Sequence, residues 1–150
     1  MAQKKSHTKS SGCPVACALD IIGDHWTLLI IRDLMFLGLH EYKEMLAGSE
    51  GISSNILTDR LKKLSLNGLI ASVNHPEDRK RKYYYLTNKG KGLVYTMVHL
   101  IRWSEKYLSD LLEIPLEKKE LIANDPERFI HLTLQQIQQW EKSNLTIHKK

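Results

Sequence analysis

The chain has 150 residues, 42% of them hydrophobic, and 22 Lys+Arg against 17 Asp+Glu for a net charge of +5. That length suits one ordinary domain, and the longest apolar stretch, Leu28 to Ile31, is far too short to span a membrane. Two cysteines, Cys13 and Cys17, are too few for a disulfide scaffold, so a soluble cytoplasmic protein with no membrane partner is expected.

Residues 1–12 lack the apolar core of a signal peptide and read as a disordered basic arm carrying Lys4, Lys5 and Lys9. Pro14 then suits the first position of a short helix with an apolar face of Ala16, Leu19 and Ile22, stopped by Gly23. Asp24 caps a second helix, almost wholly apolar and therefore buried. A third, short helix follows in "HEYKEMLAG", with Tyr42, Met45 and Leu46 inward. The fourth starts at its N-cap Ser53, carries the stripe Leu57, Leu61 and Leu64, and stops at Asn67-Gly68. The hydrophobic period then drops to two: "LIASVNH" and "RKYYYLT" are strand-like runs joined by a turn around Pro76 and Asp78. Thr87 caps a long helix with apolar positions from Leu93 to Leu111, ended by Pro115. An Asp125-Pro126 start signal opens a last segment with the stripe Ile130, Leu134 and Ile137.

This element order is that of a winged helix-turn-helix, a mainly α fold with a small β-hairpin. Its second helix enters the major groove of DNA and offers its N-terminal residues to base edges. Here the outward positions are Asn55, Asp59 and Lys62, with Thr58 and Lys63 beside them. Asn55 is suited to pair bidentately with adenine, and Ser54 or Thr58 to meet a base, a phosphate or a thymine methyl. Lys62 and Lys63 suit phosphates, and Asp59 either accepts from cytosine or holds one of those lysines. The same pattern also describes a solvated polar face. Arg79, Lys80, Arg81 and Lys82 tilt the balance, because four consecutive cations repel unless a polyanion relieves them. They form the wing tip, with Tyr84 and Leu86 inward and Tyr83 and Tyr85 outward.

Enzyme chemistry finds little support. "HEYKE" lacks the second histidine of a zinc-protease motif, the seven histidines show no metal-ligand spacing, and "NKGKG" is not a phosphate loop. No cofactor is expected. Trp26, Trp103 and Trp140 read as core or interface.

The runs "CPVACALDIIGDHWTLLIIRDL", "GISSNILTDRLKKLSLNGLI" and "YYLTNKG" resemble the HxlR-type winged-helix transcription regulators, while "DRKRKYYYLT" looks like a MarR-type wing. The resemblance implies a homodimer formed by the N- and C-terminal helices, a palindromic operator, and recognition contacts from Ser53, Ser54, Asn55, Thr58 and Arg60. Arg60 sits at the edge of the buried face, which suits a phosphate. Several members of the family sense electrophiles or oxidants through a cysteine at the Cys-Pro position, so the resemblance implies a redox switch at Cys13 as a candidate. That thiol sits at a helix N-terminus, where the dipole favours a thiolate; an unreactive, partly buried cysteine fits the sequence equally. A small aromatic effector in the dimer interface is a second trigger. The expected division is the arm over 1–12, the winged-helix domain with its dimerisation helices over 13–112, and a helical extension over 113–150. The whole reads as a DNA-binding repressor, with a protein-interaction module for an acidic partner as the alternative.

Overall fold

Local capping chemistry sets most of the helix boundaries in the computed structural model, which describes residues 11–145. The arm lysines and residues 146–150 lie outside the described residues. Cys13, extended at φ −70° and ψ 120°, caps α1 (Pro14–Ile22), and the Gly23 N–H closes it on the Leu19 carbonyl. No residue of α1 is buried; Ile22 touches the core, but Leu19 is 52% exposed. Asp24 accepts from the Trp26 and Thr27 amides at 2.9 and 3.0 Å and so starts α2 (Thr27–Arg32). A wider π-helical turn over Asp33–Leu37 continues it to Gly38. Ile30, Ile31, Leu34 and Met35 are 3% exposed or less, the buried central helix that the apolar run predicts.

Glu41 and Glu44 form a reciprocal capping box at α3 (Tyr42–Leu46). Met45 is buried, but Leu46 is 36% exposed, contrary to the inward placement expected of it. With five residues the helix has little more than one turn, and its inner face holds only Tyr42 and Met45. The turn into the next helix passes through Gly51 at φ +70°, a left-handed conformation that favours glycine. Ser53 Oγ then accepts from the Ile56 amide at 3.4 Å and caps α4 (Ser54–Leu66), whose Leu57, Leu61 and Leu64 are buried as their spacing predicts.

β1 (Ile70–Asn74) and β2 (Lys82–Leu86) pair antiparallel, Ile70 opposite Leu86 and Asn74 opposite Lys82. The single long helix expected after Thr87 is broken. α5 (Asn88–Lys91) ends at Gly92, and α6 (Val94–Leu108) restarts beyond Leu93, followed by a 3-10 turn over Ser109–Leu111. Tight packing anchors the short piece: a Cβ on Gly90 would stand 2.1 Å from the Leu69 carbonyl oxygen. α7 (Leu116–Asn124) has no counterpart among the expected elements, for only Ile122 of it is buried and its apolar period is weak. α8 (Pro126–Asn144) starts at Asp125, whose carboxylate accepts from the Arg128 amide at 3.0 Å. Ile130 and Ile137 of α8 join the same core cluster as Ile31, Leu57 and Val98, so the extension packs as part of the body.

Candidate nucleic-acid interface

Three buried leucines fix the rotation of α4, which turns Ser54, Asn55, Thr58, Asp59, Lys62 and Lys63 outward; all six are exposed. Ser53 is also exposed, with its hydroxyl engaged in the cap. Lys63 Nζ lies 2.9 Å from Asp59 one turn back, and its hydrogen bond holds the Asp59 carboxyl below the usual carboxylate range. Asp59 therefore tethers Lys63. Arg60 is half-buried: its Nε approaches Asp24 Oδ1 at 3.3 Å and its other end lies 3.7 Å from Asp59. It braces the cap of α2 against α4 rather than projecting from the helix. Burial alone would raise the Asp24 carboxyl, yet hydrogen bonds from Thr27 and Trp26, with the Arg60 charge, hold it low.

Two residues join this face in a way the sequence pattern does not mark. The Tyr42 hydroxyl reaches from α3 to the Ser54 carbonyl at 2.9 Å and to Thr58 Oγ1 at 3.1 Å. Lys82, expected at the wing tip, is the first residue of β2 and faces Lys62 across a cleft of about 250 Å³ between α4 and the hairpin. Thr58 and Ser65 from α4, and Ser72 and Tyr84 from the hairpin, also line it. The signal was available only as three-dimensional proximity.

The wing itself is a tight loop. The Arg81 amide donates to the Asp78 carbonyl at 2.9 Å, and the Lys80 amide to the Asp78 carboxylate at 2.9 Å. Arg79 and Lys80 are exposed at its tip. Arg81 is instead bidentate on Glu41, with Nε at 2.7 Å and the terminal nitrogen at 2.5 Å, and that bond holds the Glu41 carboxyl low. The expected outward Tyr83 is covered: it packs on His75 at 4.6 Å and edge-on to Trp140 of α8 at 5.5 Å. Trp140 in turn stacks on buried His40, with centroids 3.4 Å apart and planes within 9°. The wing base is thus held from below by α3 and α8.

Away from this face, Cys13 is exposed at the start of α1 and Cys17 is half-buried. Trp103 and Tyr107 of α6 and Leu111 just beyond it are 55%, 60% and 79% exposed. Among the described residues no group of His, Cys, Asp and Glu could hold a metal, and no single helix is long and apolar enough to cross a membrane.

A capped helix with a polar outer face, set after a short helix and beside a basic hairpin, defines a winged helix-turn-helix transcription regulator. Residues 21–111 match the HxlR-like helix-turn-helix family, and the chain belongs to that family. It is 35% identical over 108 residues to Rv3095 of Mycobacterium tuberculosis, an HTH-type transcriptional regulator, covering 72% of this chain and 67% of the relative. The crystal structure of PA1607 superposes with a TM-score of 0.65 at 38% identity, over 75% of this chain and 78% of that one. The reduced form of the transcriptional regulator YodB from Bacillus subtilis gives 0.53 at 31% identity, over 63% and 93%.

Proposed function

We propose that the protein is a homodimeric repressor of a roughly palindromic operator, each copy reading one half-site with α4 in the major groove. The observation that carries this is the cleft shared by α4 and the hairpin, with Lys62 on one wall and Lys82 on the other. Two cations from α4 and the hairpin, beside the exposed Ser54 and Asn55, suit the phosphates that flank a groove. In this reading Ser54, Asn55 and Thr58 supply base contacts. Lys62, Lys82, Arg79 and Lys80 supply backbone contacts, Lys63 helps more weakly through its tether, and Ser53, Arg60 and Arg81 hold the frame.

In this reading a second copy covers the exposed Val15 and Leu19 of α1 and the exposed Trp103, Tyr107 and Leu111 of α6 and the turn after it, because exposed apolar surface marks an association site. Two-fold symmetry then makes the site palindromic, with half-sites spaced by whole turns of DNA. Regulation acts through that spacing. Cys13 is the leading trigger: it is exposed at the positive end of α1, beside the exposed Val15. A cavity of about 630 Å³ lined by Trp103, Tyr107, Ile122 and Arg102 supports a small aromatic effector as a second trigger.

Mobility shifts of the purified protein on its own promoter and on a scrambled duplex, with and without diamide, test the reading. Selective binding that diamide abolishes, with Cys13→Ser binding normally and ignoring diamide, is the expected result. A Cys13→Ser variant that still responds removes that thiol as sensor. Equal, weak binding to both duplexes favours a module for an acidic protein partner.

A further inference from the structure

We infer that Tyr42 fixes the polarity of the Thr58 hydroxyl, so that Thr58 reads a base offering a proton: adenine or cytosine. The inference rests on α4 being the DNA-reading helix and adds which base chemistry one of its residues selects. Tyr42 Oη lies 2.9 Å from the Ser54 carbonyl oxygen. A carbonyl oxygen only accepts, and two oxygens at that distance repel unless a proton lies between them, so the phenolic proton is committed to Ser54. The Tyr42 oxygen also lies 3.1 Å from Thr58 Oγ1, and with its one proton used it meets Thr58 as an acceptor. The Thr58 proton is therefore committed to Tyr42.

What remains for a ligand at Thr58 is its lone pairs and a methyl group. In the major groove guanine presents acceptors at O6 and N7 and thymine an acceptor at O4, whereas adenine N6 and cytosine N4 donate. Phosphate oxygens only accept at neutral pH. An acceptor-only Thr58 thus repels a phosphate or a guanine and pairs with an amino group. Thr58 is exposed, so it is available to such a base, while half-buried Tyr42 acts through it as a positioning residue. A threonine on a free helix face would rotate its hydroxyl to suit any partner; Tyr42 removes that tolerance.

The test selects a bound site from a randomised duplex library with the wild-type chain, then measures Kd on every single-base variant of that site. Wild type, Tyr42→Phe and Thr58→Val are compared, with circular dichroism melts to verify folding. Every base pair carries one such amino group, adenine N6 or cytosine N4. The selected duplex is therefore also made with that amine deleted (purine for adenine, 2-pyrimidinone for cytosine) at the one pair affected by Thr58→Val. Wild type is expected to lose on the order of tenfold there. Tyr42→Phe frees the Thr58 proton to meet an acceptor instead, and the loss on amine deletion at that same pair should fall to about twofold, with the rest of the profile and the salt dependence unchanged. The inference is overturned if deleting the amine at that pair costs wild type nothing, or by a folded Tyr42→Phe that loses as much as the wild type does. It is also overturned if Thr58→Val weakens all duplexes alike, which marks a phosphate contact. Wild type that distinguishes no duplex at all refutes the DNA-reading role of α4, and this inference with it; the other outcomes leave that role standing. If Tyr42→Phe does not fold, the wild-type cost of deleting the amine at the Thr58-dependent pair decides the matter.

Discussion

Asn55 illustrates how far one residue can be taken from its surroundings. It is exposed on the first turn of α4, two places beyond the cap, where a recognition helix places its base contacts. Asn55→Ala should therefore cost ~1–3 kcal/mol on the selected site and leave binding to random DNA unchanged. Equal losses on both, measured by titration at one salt concentration, would refute a base-reading role. Its placement was legible because a cap and three leucines fix a helix's start and rotation, and both are local signals. Ser53, Asp24, Thr87 and Asp125 were legible for the same reason: a short polar side chain satisfies an amide two or three residues on. Tyr42 and the Glu41–Arg81 pair were not, since their partners lie 16 and 40 residues away and nothing in the spacing announces them. Arg60 misled for a related reason: its position at the edge of the buried face was clear, but the carboxylate of Asp24 waiting there was not.

At the scale of elements, the wing divides its cations between two jobs. Arg81 is bound to Glu41 and Lys82 belongs to the strand, which leaves Arg79 and Lys80 on the loop around Asp78. Replacing both with alanine should weaken specific and random DNA alike and flatten the dependence of log K on log salt by up to about 1.8, at ~0.9 for each phosphate no longer neutralised. Arg81→Ala should act differently, loosening the hairpin against α3 more than it changes that slope. A slope unmoved by the Arg79 and Lys80 double variant would take the wing tip off the phosphates. The hairpin's existence was readable from the switch to a period of two, and its register follows from the inward Leu86 paired with Ile70. The break near Gly92 was not readable, because the apolar spacing runs on past it; Pro115 did mark the end before α7, but α7 itself was not readable, because it buries only Ile122.

Across the whole molecule, α8 ties the end of the chain to the DNA-facing half. The stripe Ile130, Leu134 and Ile137 announced a helix, but a stripe does not say what it docks on, and the expected boundary at 112/113 cuts through one continuous core. The docking centre is His40, 6% exposed, stacked beneath Trp140 and with Nδ1 donating to the Tyr84 carbonyl at 2.9 Å. Burial lowers the His40 pKa; the hydrogen bond to Tyr84 and the charges of Glu44 and Glu141 oppose the shift without cancelling it. Lys91 pairs with Glu141, which blunts that opposition. Below the ordinary histidine value of about 6.5, the unfolded chain takes up a proton that folded His40 refuses. Stability contributed by neutral His40 is therefore full above that pH, and it drains away as pH falls toward the lowered folded value. The slope cannot exceed about 1.4 kcal/mol per pH unit for one proton. Urea unfolding of wild type and His40→Gln between pH 8 and pH 5 checks this: glutamine carries no titration, so its midpoint should fall less over that range. A parallel decline in both proteins would place the pH sensitivity elsewhere. A flatter decline would identify His40, buried beneath Trp140, as the group whose refused proton sets this part of the acid sensitivity.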